Sequence, residues 1–297
     1  MTVLQGNFHS SIMRLQGLAI ARRVQKKGET VCLMKKIFRA IAAFARMETE
    51  GILDLIYPPA IKCICCGAVI DKSRTYSLCN NCMKGIRWIE AGDRTCIKCG
   101  KPLAGNDSRT ICFSCREHPH VFSRAVTCAQ YGALERDLIF NLKYKGRTYI
   151  APILSEIMWD RLQSLEPGEQ YQIFRGGVDV VVPVPLSRER LLERGFNQAD
   201  LIGEGLARLM GADYNRDILV RTRHTAAMRS LTPDERRKNI RGAFRVDGNV
   251  TGLTVMVVDD IYTTGSTADA IASVLFEKGA ARVIFCTFAG GADVVKS

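Results

Sequence analysis

The sequence predicts an α/β fold with a parallel sheet, preceded by a small cysteine-rich module. Val255 to Val258 is a continuous apolar run, and Val178 to Val184 is a second, valine-rich run; each is followed by a helical pattern. Strands of a parallel sheet are buried on both faces, so they appear as apolar runs of this length. Shorter runs near 125–131 and from Arg282 to Phe288 complete the predicted sheet. The segment from Glu166 to Gly177 is predicted to be a loop. The cysteine-rich module occupies residues 63–115, where eight of the twelve cysteines form C-x2-C pairs.

The cysteine pairs form an internal repeat of 33 residues. The first unit contains Cys63, Cys66, Cys79 and Cys82, and the second contains Cys96, Cys99, Cys112 and Cys115. Two C-x2-C turns supply four thiolates, the ligand set of a closed structural zinc site. We therefore expect one or two structural Zn2+ ions, with Cys65 as a bystander and the pairing of the turns left open. Zinc thiolates also indicate a reducing cytoplasm.

The segment from Thr254 to Ala268 combines a strand, two acids and a hydroxyl-rich turn. Asp259 and Asp260 follow the apolar run, at the edge where parallel sheets bind ligands. The turn and the predicted helix after it offer N–H groups and the positive end of a helix dipole to a phosphate. Its residues are Thr263, Thr264, Gly265, Ser266 and Thr267. Two carboxylates beside a phosphate suit ribose hydroxyls or Mg2+, so the segment predicts a ribose-phosphate site.

This segment resembles the 5-phosphoribosyl-1-pyrophosphate (PRPP) motif of type I phosphoribosyltransferases. The shared pattern is an apolar run, two acids, two further residues and T-T-G-x-T. The resemblance implies that Asp259 and Asp260 are catalytic, holding the ribose and stabilising charge at the anomeric carbon, and that residues 263–267 form the phosphate loop. It also implies a pyrophosphate loop after the strand 178–184, for which the candidates are Leu186, Ser187 and Arg188. It does not indicate an acceptor substrate.

Two short basic motifs are candidates for contacts to phosphate or to a base. Lys143 and Lys145 flank Tyr144 at the end of a predicted helix, where they either contact a ligand or complement the helix dipole. Arg194 precedes Asn197, the expected N-cap of a helix from Gln198 to Met210. For Arg194, a functional role and a structural role both remain open.

The overall charge is less informative than its distribution. The formal net charge is +12, but residues 1–46 hold nine Lys/Arg against one acid, which leaves only +4 for the rest. Residues 221–245 hold eight Lys/Arg, among them Arg236 and Arg237, against two acids. Such a cluster suits a pyrophosphate-bearing ligand or the backbone of single-stranded nucleic acid.

Taken in order, the motifs closely resemble those of the ComF family, whose members join a double zinc ribbon to a phosphoribosyltransferase-like domain. After the cysteine module come L-K-Y-K-G, V-P-V-P-L, R-G-F-N-Q, E-R-R-K-N-I-R-G-A-F and D-D-I-Y-T-T-G-S-T, and the resemblance spans about residues 52 to 290. Met228 and Ser230 stand where many members of the family are expected to have Gln and Gly. The resemblance implies a role in the uptake or processing of single-stranded DNA during natural transformation.

The sequence therefore predicts three segments and leaves two functional hypotheses. The segments are a basic extension 1–46, with translation starting at Met1, Met34 or Met47; a double zinc ribbon 47–118; and a phosphoribosyltransferase-like domain 119–297. No apolar run is close to about 18 residues, the length needed to span a membrane. The first hypothesis is a protein that binds PRPP with Mg2+ and is linked to DNA uptake. If it is an enzyme, which this hypothesis favours, it is a phosphoribosyltransferase, a glycosyltransferase whose acceptor is unknown. The second is a protein that handles single-stranded DNA or senses a ligand through a non-catalytic phosphoribosyl pocket.

Overall fold

The computed structural model describes residues 61–103, 109–223, 235, 239–240 and 242–292. The predictions about residues 1–46, the start codon, Arg236 and Arg237 lie outside these residues. The described residues belong to one structural unit, which begins at residue 60.

A five-stranded parallel sheet lies at the centre of this unit, in the strand order β1-β7-β6-β2-β3. A separate antiparallel pair is formed by β4 and β5. The strands are β1 Arg124–Gln130, β2 Val180–Pro183, β3 Asp213–Tyr214, β4 Leu219–Arg221, β5 Phe244–Val246, β6 Thr254–Tyr262 and β7 Arg282–Gly290. The fold-class prediction of a parallel α/β sheet is confirmed by this topology.

Strand β6 is longer than the sequence predicted. The prediction ended the strand at Val258, but ladder pairing with β7 continues through Asp259 and Thr287 to Tyr262 and Gly290. Asp259 and Asp260 consequently lie within the strand. Successive side chains of a strand point to opposite faces of the sheet, so the side chains of Asp259 and Asp260 lie on opposite faces.

Helices cover both faces of the sheet. They are α1 Asn80–Gly85, α2 Phe113–Glu117, α3 Ala133–Tyr144, α4 Ile150–Gln163, α5 Pro167–Phe174, α6 Arg188–Arg194, α7 Gln198–Met210 and α8 Ser266–Glu277. The range 166–177 was predicted to be a loop, and the structure corrects this with α5. The N-cap prediction for α7 is confirmed, because Oδ1 of Asn197 accepts a hydrogen bond from N of Ala199 at 3.1 Å.

Alternate residues of the central strands supply two separate cores. On one face, Met256 and Val258 pack in a cluster with residues of α3, α4, α7 and the first cysteine unit. On the other, Val255 and Val257 pack in a cluster with residues of α8, the β4–β5 pair and the second cysteine unit. The two cysteine units therefore brace opposite faces of the same sheet.

No helix within the described ranges is both long enough and apolar enough to cross a membrane.

Candidate functional site

The eight repeated cysteines form two separate clusters. Each repeat unit brings its own four sulfurs within 4.8 Å of one another. This answers the open question of pairing, because each unit closes on itself and the two do not interleave. Four thiols around one point match a tetrahedral structural zinc site with no open position. The donor set thus fits two structural Zn2+ ions.

The described cysteines outside the clusters, Cys65, Cys128 and Cys286, are all buried. Cys65 is buried, and its Sγ lies 4.0 Å from the carbonyl oxygen of Leu134. Burial raises the pKa of Cys65 to about 11 and that of Cys128 to about 12. Cys286 is also fully buried, in β7. Cys32 lies outside the described residues.

The acid pair at the end of β6 has two different environments. Asp259 is partly exposed and lines a cleft together with Val184, Thr263 and Thr267. Asp260 is only 2% exposed: Nζ of Lys143 lies 2.5 Å from its Oδ2, and Nε2 of Gln198 donates to its Oδ1 at 2.9 Å. One acid therefore faces the cleft, and the other is anchored in the protein.

These environments shift the pKa values of the two acids in opposite directions. Desolvation of Asp259 between the walls of the cleft, and then the negative charge of Asp260, raise the pKa of Asp259 well above its ordinary value. Burial also disfavours ionisation of Asp260, but Lys143 and the hydrogen bonds to its carboxylate hold its pKa below the ordinary value. The pair thus combines an anchored carboxylate with a second carboxyl group that retains its proton to higher pH.

The predicted phosphate loop joins β6 to α8. Thr263 and Thr264 precede Gly265, while Ser266 and Thr267 belong to the first turn of α8 and not to the turn before it. Gly265 has φ +80°, and a Cβ there would overlap His120 and lie 2.5 Å from Oη of Tyr262. Only glycine satisfies both the backbone angle and the lack of space.

The residues predicted for the pyrophosphate loop follow the neighbouring strand. Pro183 in β2 pairs with Val258 in β6, so the two loops leave the same edge of the sheet. Leu186 is half-buried, Ser187 is buried as the N-cap of α6, and Arg188 is exposed. The structure therefore brings these residues to the same edge as the acid pair.

The predicted basic contacts divide into three groups. Lys143 forms an ion pair with Asp260. Lys145 and Arg194 each approach the face of an aromatic ring: Phe140 at 5.9 Å and Tyr144 at 5.2 Å. Arg236 and Arg237 lie outside the described residues.

Comparison with known proteins supports one family. A model of the double zinc ribbon domain matches residues 52–116. The DNA utilization protein YhgH of Escherichia coli K12 is 34% identical over 213 residues, which cover 71% of this chain and 89% of that protein. The chain belongs to the ComF family. Competence protein F of Haemophilus influenzae is 26% identical and covers 75% of this chain and 93% of its own length. Competence protein ComFC of Streptococcus pneumoniae is 27% identical, with 75% and 97% covered.

Solved structures of phosphoribosyl enzymes share limited similarity with this ComF-family chain. A glutamine PRPP amidotransferase from B. subtilis has 22% identity and a TM-score of 0.30, covering 46% of this chain and a quarter of that one. A hypoxanthine-guanine phosphoribosyltransferase from Bacillus anthracis has 19% identity and a TM-score of 0.29, covering 48% and 72%. At these TM-scores the similarity carries no argument about function.

Some residues of the candidate site were not singled out from the sequence. Gln198 was assigned only to the start of α7, although it holds Asp260. Thr287 lines the cleft with a buried hydroxyl that has no hydrogen-bond partner among the described residues. Arg221 belongs to the basic cluster predicted at 221–245; it is half-buried, and its positive charge interacts with Asp259. Only pairing across the sheet brings Thr287 beside Asp259, so no local sequence signal marks it.

Proposed function

We propose that this protein binds PRPP, with Mg2+, in the cleft at the end of β6. The observation that carries the proposal is the convergence of Asp259, the Gly265 turn and the start of α8 on one cleft. A helix of twelve residues begins there, and its dipole favours an anion at its N-terminus. Hydroxyls of Thr263 and Thr267 line the same cleft and add donors for a phosphate monoester.

In this proposal the two acids have unequal roles. Asp259 faces the cleft and would hold the ribose hydroxyls, or a Mg2+ ion bound against them. Asp260 is fixed by Lys143 and Gln198 and would position the strand end while adding negative charge near the anomeric carbon. The hydroxyl of Thr287, which has no hydrogen-bond partner in the part of the chain that the structure describes, offers a further contact to a polar ligand.

Phosphoribosyl transfer is the chemistry that this site would perform as an enzyme. An acceptor would form a bond to the anomeric carbon while the bond to pyrophosphate breaks, and pyrophosphate would leave with the bonding electrons. Positive charge develops on the ribose in that step, and the carboxylates of Asp259 and Asp260 would stabilise it. Mg2+, when bound, would offset the charge of the departing pyrophosphate. Leu186, Ser187 and Arg188 stay candidates for contacts to that group.

A panel of ligands tests the proposal through thermal stability. A ligand at 100 times its Kd stabilises the native state by about 2.7 kcal/mol, so binding raises the melting temperature. We expect PRPP with Mg2+ to raise it most, ribose 5-phosphate to raise it less, and pyrophosphate alone to raise it least. An equal response to PRPP and pyrophosphate would contradict a ribose site. Adenosine 5′-monophosphate serves as a control for nucleotide binding.

Single-stranded DNA is a second candidate ligand, favoured by a cluster of aromatic and basic residues where α3 and α6 end. We define the aromatic cluster as Phe140, Tyr144, Lys145 and Arg194. The two rings are 5.0 Å apart, and the two aromatic residues are 44% and 55% exposed. Aromatic rings beside cations suit stacked bases and their phosphates. Arg194 also hydrogen-bonds Gln198, which donates to Asp260, so the cluster is linked to the acid pair through Gln198.

Binding of a fluorescent oligothymidine tests this second candidate. Stacking contributes about 1–3 kcal/mol per base, so Tyr144→Ala should weaken binding by about fivefold or more. Tyr149→Ala removes an exposed tyrosine outside the cluster and serves as the control. Equal effects of the two substitutions, or binding that is insensitive to salt, would contradict a role for the cluster.

The names of the relatives, DNA utilization protein and competence protein, support a link between this protein and DNA. We propose that the protein acts in the reducing cytoplasm, in the uptake or processing of DNA, and that PRPP binding is coupled to that role. The described cysteines are unbridged thiols, as a reducing compartment requires. Recovery of the protein with single-stranded DNA from cells taking up DNA, in the presence and absence of PRPP, would test the coupling.

A further inference from the structure

The second cysteine unit contacts the phosphate loop through a buried lysine. Nζ of Lys101 donates to the carbonyl oxygen of Thr263 at 2.7 Å and lies 5.2 Å from the centre of the Tyr262 ring. Lys101 is only 5% exposed. A buried ammonium is costly unless it has partners, so this contact fixes the side chain and the loop together.

The cysteine turn determines where Lys101 lies. Its carbonyl oxygen accepts a hydrogen bond from N of Cys96 at 2.8 Å, and N of Gly100 donates to the carbonyl oxygen of Cys96 at 2.8 Å. A Cβ on Gly100 would lie 2.7 Å from the carbonyl oxygen of Ala125, so the turn packs directly against β1. Displacement of the metal-binding turn would therefore displace Lys101.

A second set of contacts, made by His120, supports the same loop. Nε2 of His120 lies 3.1 Å from Oη of Tyr262, and its Nδ1 lies 2.8 Å from Oδ2 of Asp269. Asp269 lies in the first turn of α8, and its N donates to the carbonyl oxygen of Gly265 at 2.8 Å. The loop is thus held at Thr263 by Lys101 and at Gly265 by the packing of His120.

The first cysteine unit provides an internal comparison. Ala68 occupies the position 33 residues before Lys101, and its carbonyl oxygen accepts from N of Cys63 at 2.7 Å in the same turn geometry. Ala68 is exposed and offers no ammonium. A zinc-binding turn therefore does not require a lysine at this position, and Lys101 serves something outside the ribbon. The first unit instead contacts α3, where Nδ2 of Asn141 lies 3.5 Å from the carbonyl oxygen of Cys65.

We propose that Lys101 is a positioning residue for the phosphate loop and that zinc in the second ribbon, but not in the first, sets the geometry of that loop. The proposal rests on the proposed function for its ligand, since the loop is the phosphate subsite. The coupling between ribbon and loop does not depend on which ligand binds. Lys101 also adds a positive charge beneath a loop that would receive an anion.

Hydrogen–deuterium exchange of the full chain tests the coupling without any ligand. We expect Lys101→Met to speed exchange across 262–269 while both zinc ions are retained. Cys112→Ser should release one zinc and speed exchange in the same segment, whereas Cys79→Ser should release the other zinc and act on 133–144 instead. Unchanged exchange across 262–269 in Lys101→Met, or identical patterns in the two cysteine variants, would overturn the proposal.

Ligand binding gives the second readout and separates the two proposals. A hydrogen bond to a charged group is worth enough for Lys101→Met to weaken PRPP binding by about tenfold or more. Lys101→Gln keeps a donor but not the charge, and Lys101→Arg keeps both. We therefore expect affinity for PRPP to decrease from the wild type to Lys101→Arg, then to Lys101→Gln and finally to Lys101→Met. If the wild type binds PRPP and all four proteins bind it equally, the role of Lys101 fails alone. If the wild type binds no PRPP while exchange still responds to Lys101, the proposed ligand fails and the coupling stands.

Discussion

Lys143 and Asp260 form a buried ion pair, with 2.5 Å between Nζ and Oδ2, that joins the end of α3 to the end of β6. The side chains are 19% and 2% exposed. Removing one partner of such a pair leaves the other charge buried, which costs about 3–5 kcal/mol. We therefore expect Asp260→Asn to lower the free energy of unfolding by about 3 kcal/mol, measured by urea denaturation. The double variant with Lys143→Met should recover part of the loss, and additive losses would argue against the pair.

The neighbouring acid should behave in the opposite way. The folded state raises the pKa of Asp259, so it favours the protonated form. Asp259 makes its full contribution to the free energy of unfolding below the pKa of an unfolded aspartate. This contribution is lost as the pH rises through the pKa of Asp259 in the folded state. Asp259→Asn should therefore not lower, and should slightly raise, the free energy of unfolding at neutral pH. A loss as large as that of Asp260→Asn would contradict the unequal environments.

The raised pKa of Asp259 also predicts the pH dependence of ligand binding. If Asp259 holds Mg2+ or the ribose, it must lose its proton on binding, so affinity for PRPP with Mg2+ should increase as pH rises through its pKa. Calorimetry in buffers of different ionisation enthalpy measures the released proton. PRPP titrates as well, with a phosphate pKa of about 6, and that contribution persists in Asp259→Asn. Equal proton release in the two proteins would contradict a role for Asp259.

The strong local signals in the sequence predicted most of this architecture. The 33-residue cysteine repeat, the apolar run of β6 and the glycine turn each depend on residues close together in the chain. The contacts that complete the site do not, because Lys101 and Thr263 are 162 residues apart and Lys143 and Asp260 are 117 apart. One signal was available within the repeat, since Lys101 replaces the Ala68 of the first unit.

The errors in the sequence predictions have physical causes. Ladder pairing with β7 extended β6 through two acids that composition alone assigns to a loop. Helix α5 lies in the segment 166–177, whose one proline, three glycines and few apolar residues are typical of a loop. Ser266 and Thr267 were assigned to the turn, but the helix begins directly after Gly265.

Gly265 should tolerate no side chain. Its φ of +80° costs an L-residue roughly 1–2 kcal/mol, and a Cβ would also overlap His120. Gly252 has φ +76°, and a Cβ added there would meet no atom within 4 Å, so Gly252→Ala measures the cost of the backbone angle alone. We expect Gly265→Ala to be the more destabilising of the two in urea, and to abolish PRPP binding that Gly252→Ala retains. Retention of binding by both variants would contradict a tight loop.

The two cysteine clusters predict the zinc content. The purified protein should contain two zinc ions per chain by native mass spectrometry, and Cys66→Ser should contain one. Cys65→Ala is the matched control, because Cys65 is outside both clusters and should keep both ions. Loss of a zinc ion from Cys65→Ala would instead assign it as a ligand.

The most direct test of the central claim is a calorimetric titration of the zinc-loaded protein with PRPP and Mg2+, beside Asp259→Asn. We predict saturable binding of one PRPP per chain to the wild type, and binding weakened at least about tenfold in the variant, because the cleft-facing carboxylate is lost. Absence of binding by the wild type, or equal binding by the two proteins, would contradict a ribose-phosphate site at the end of β6.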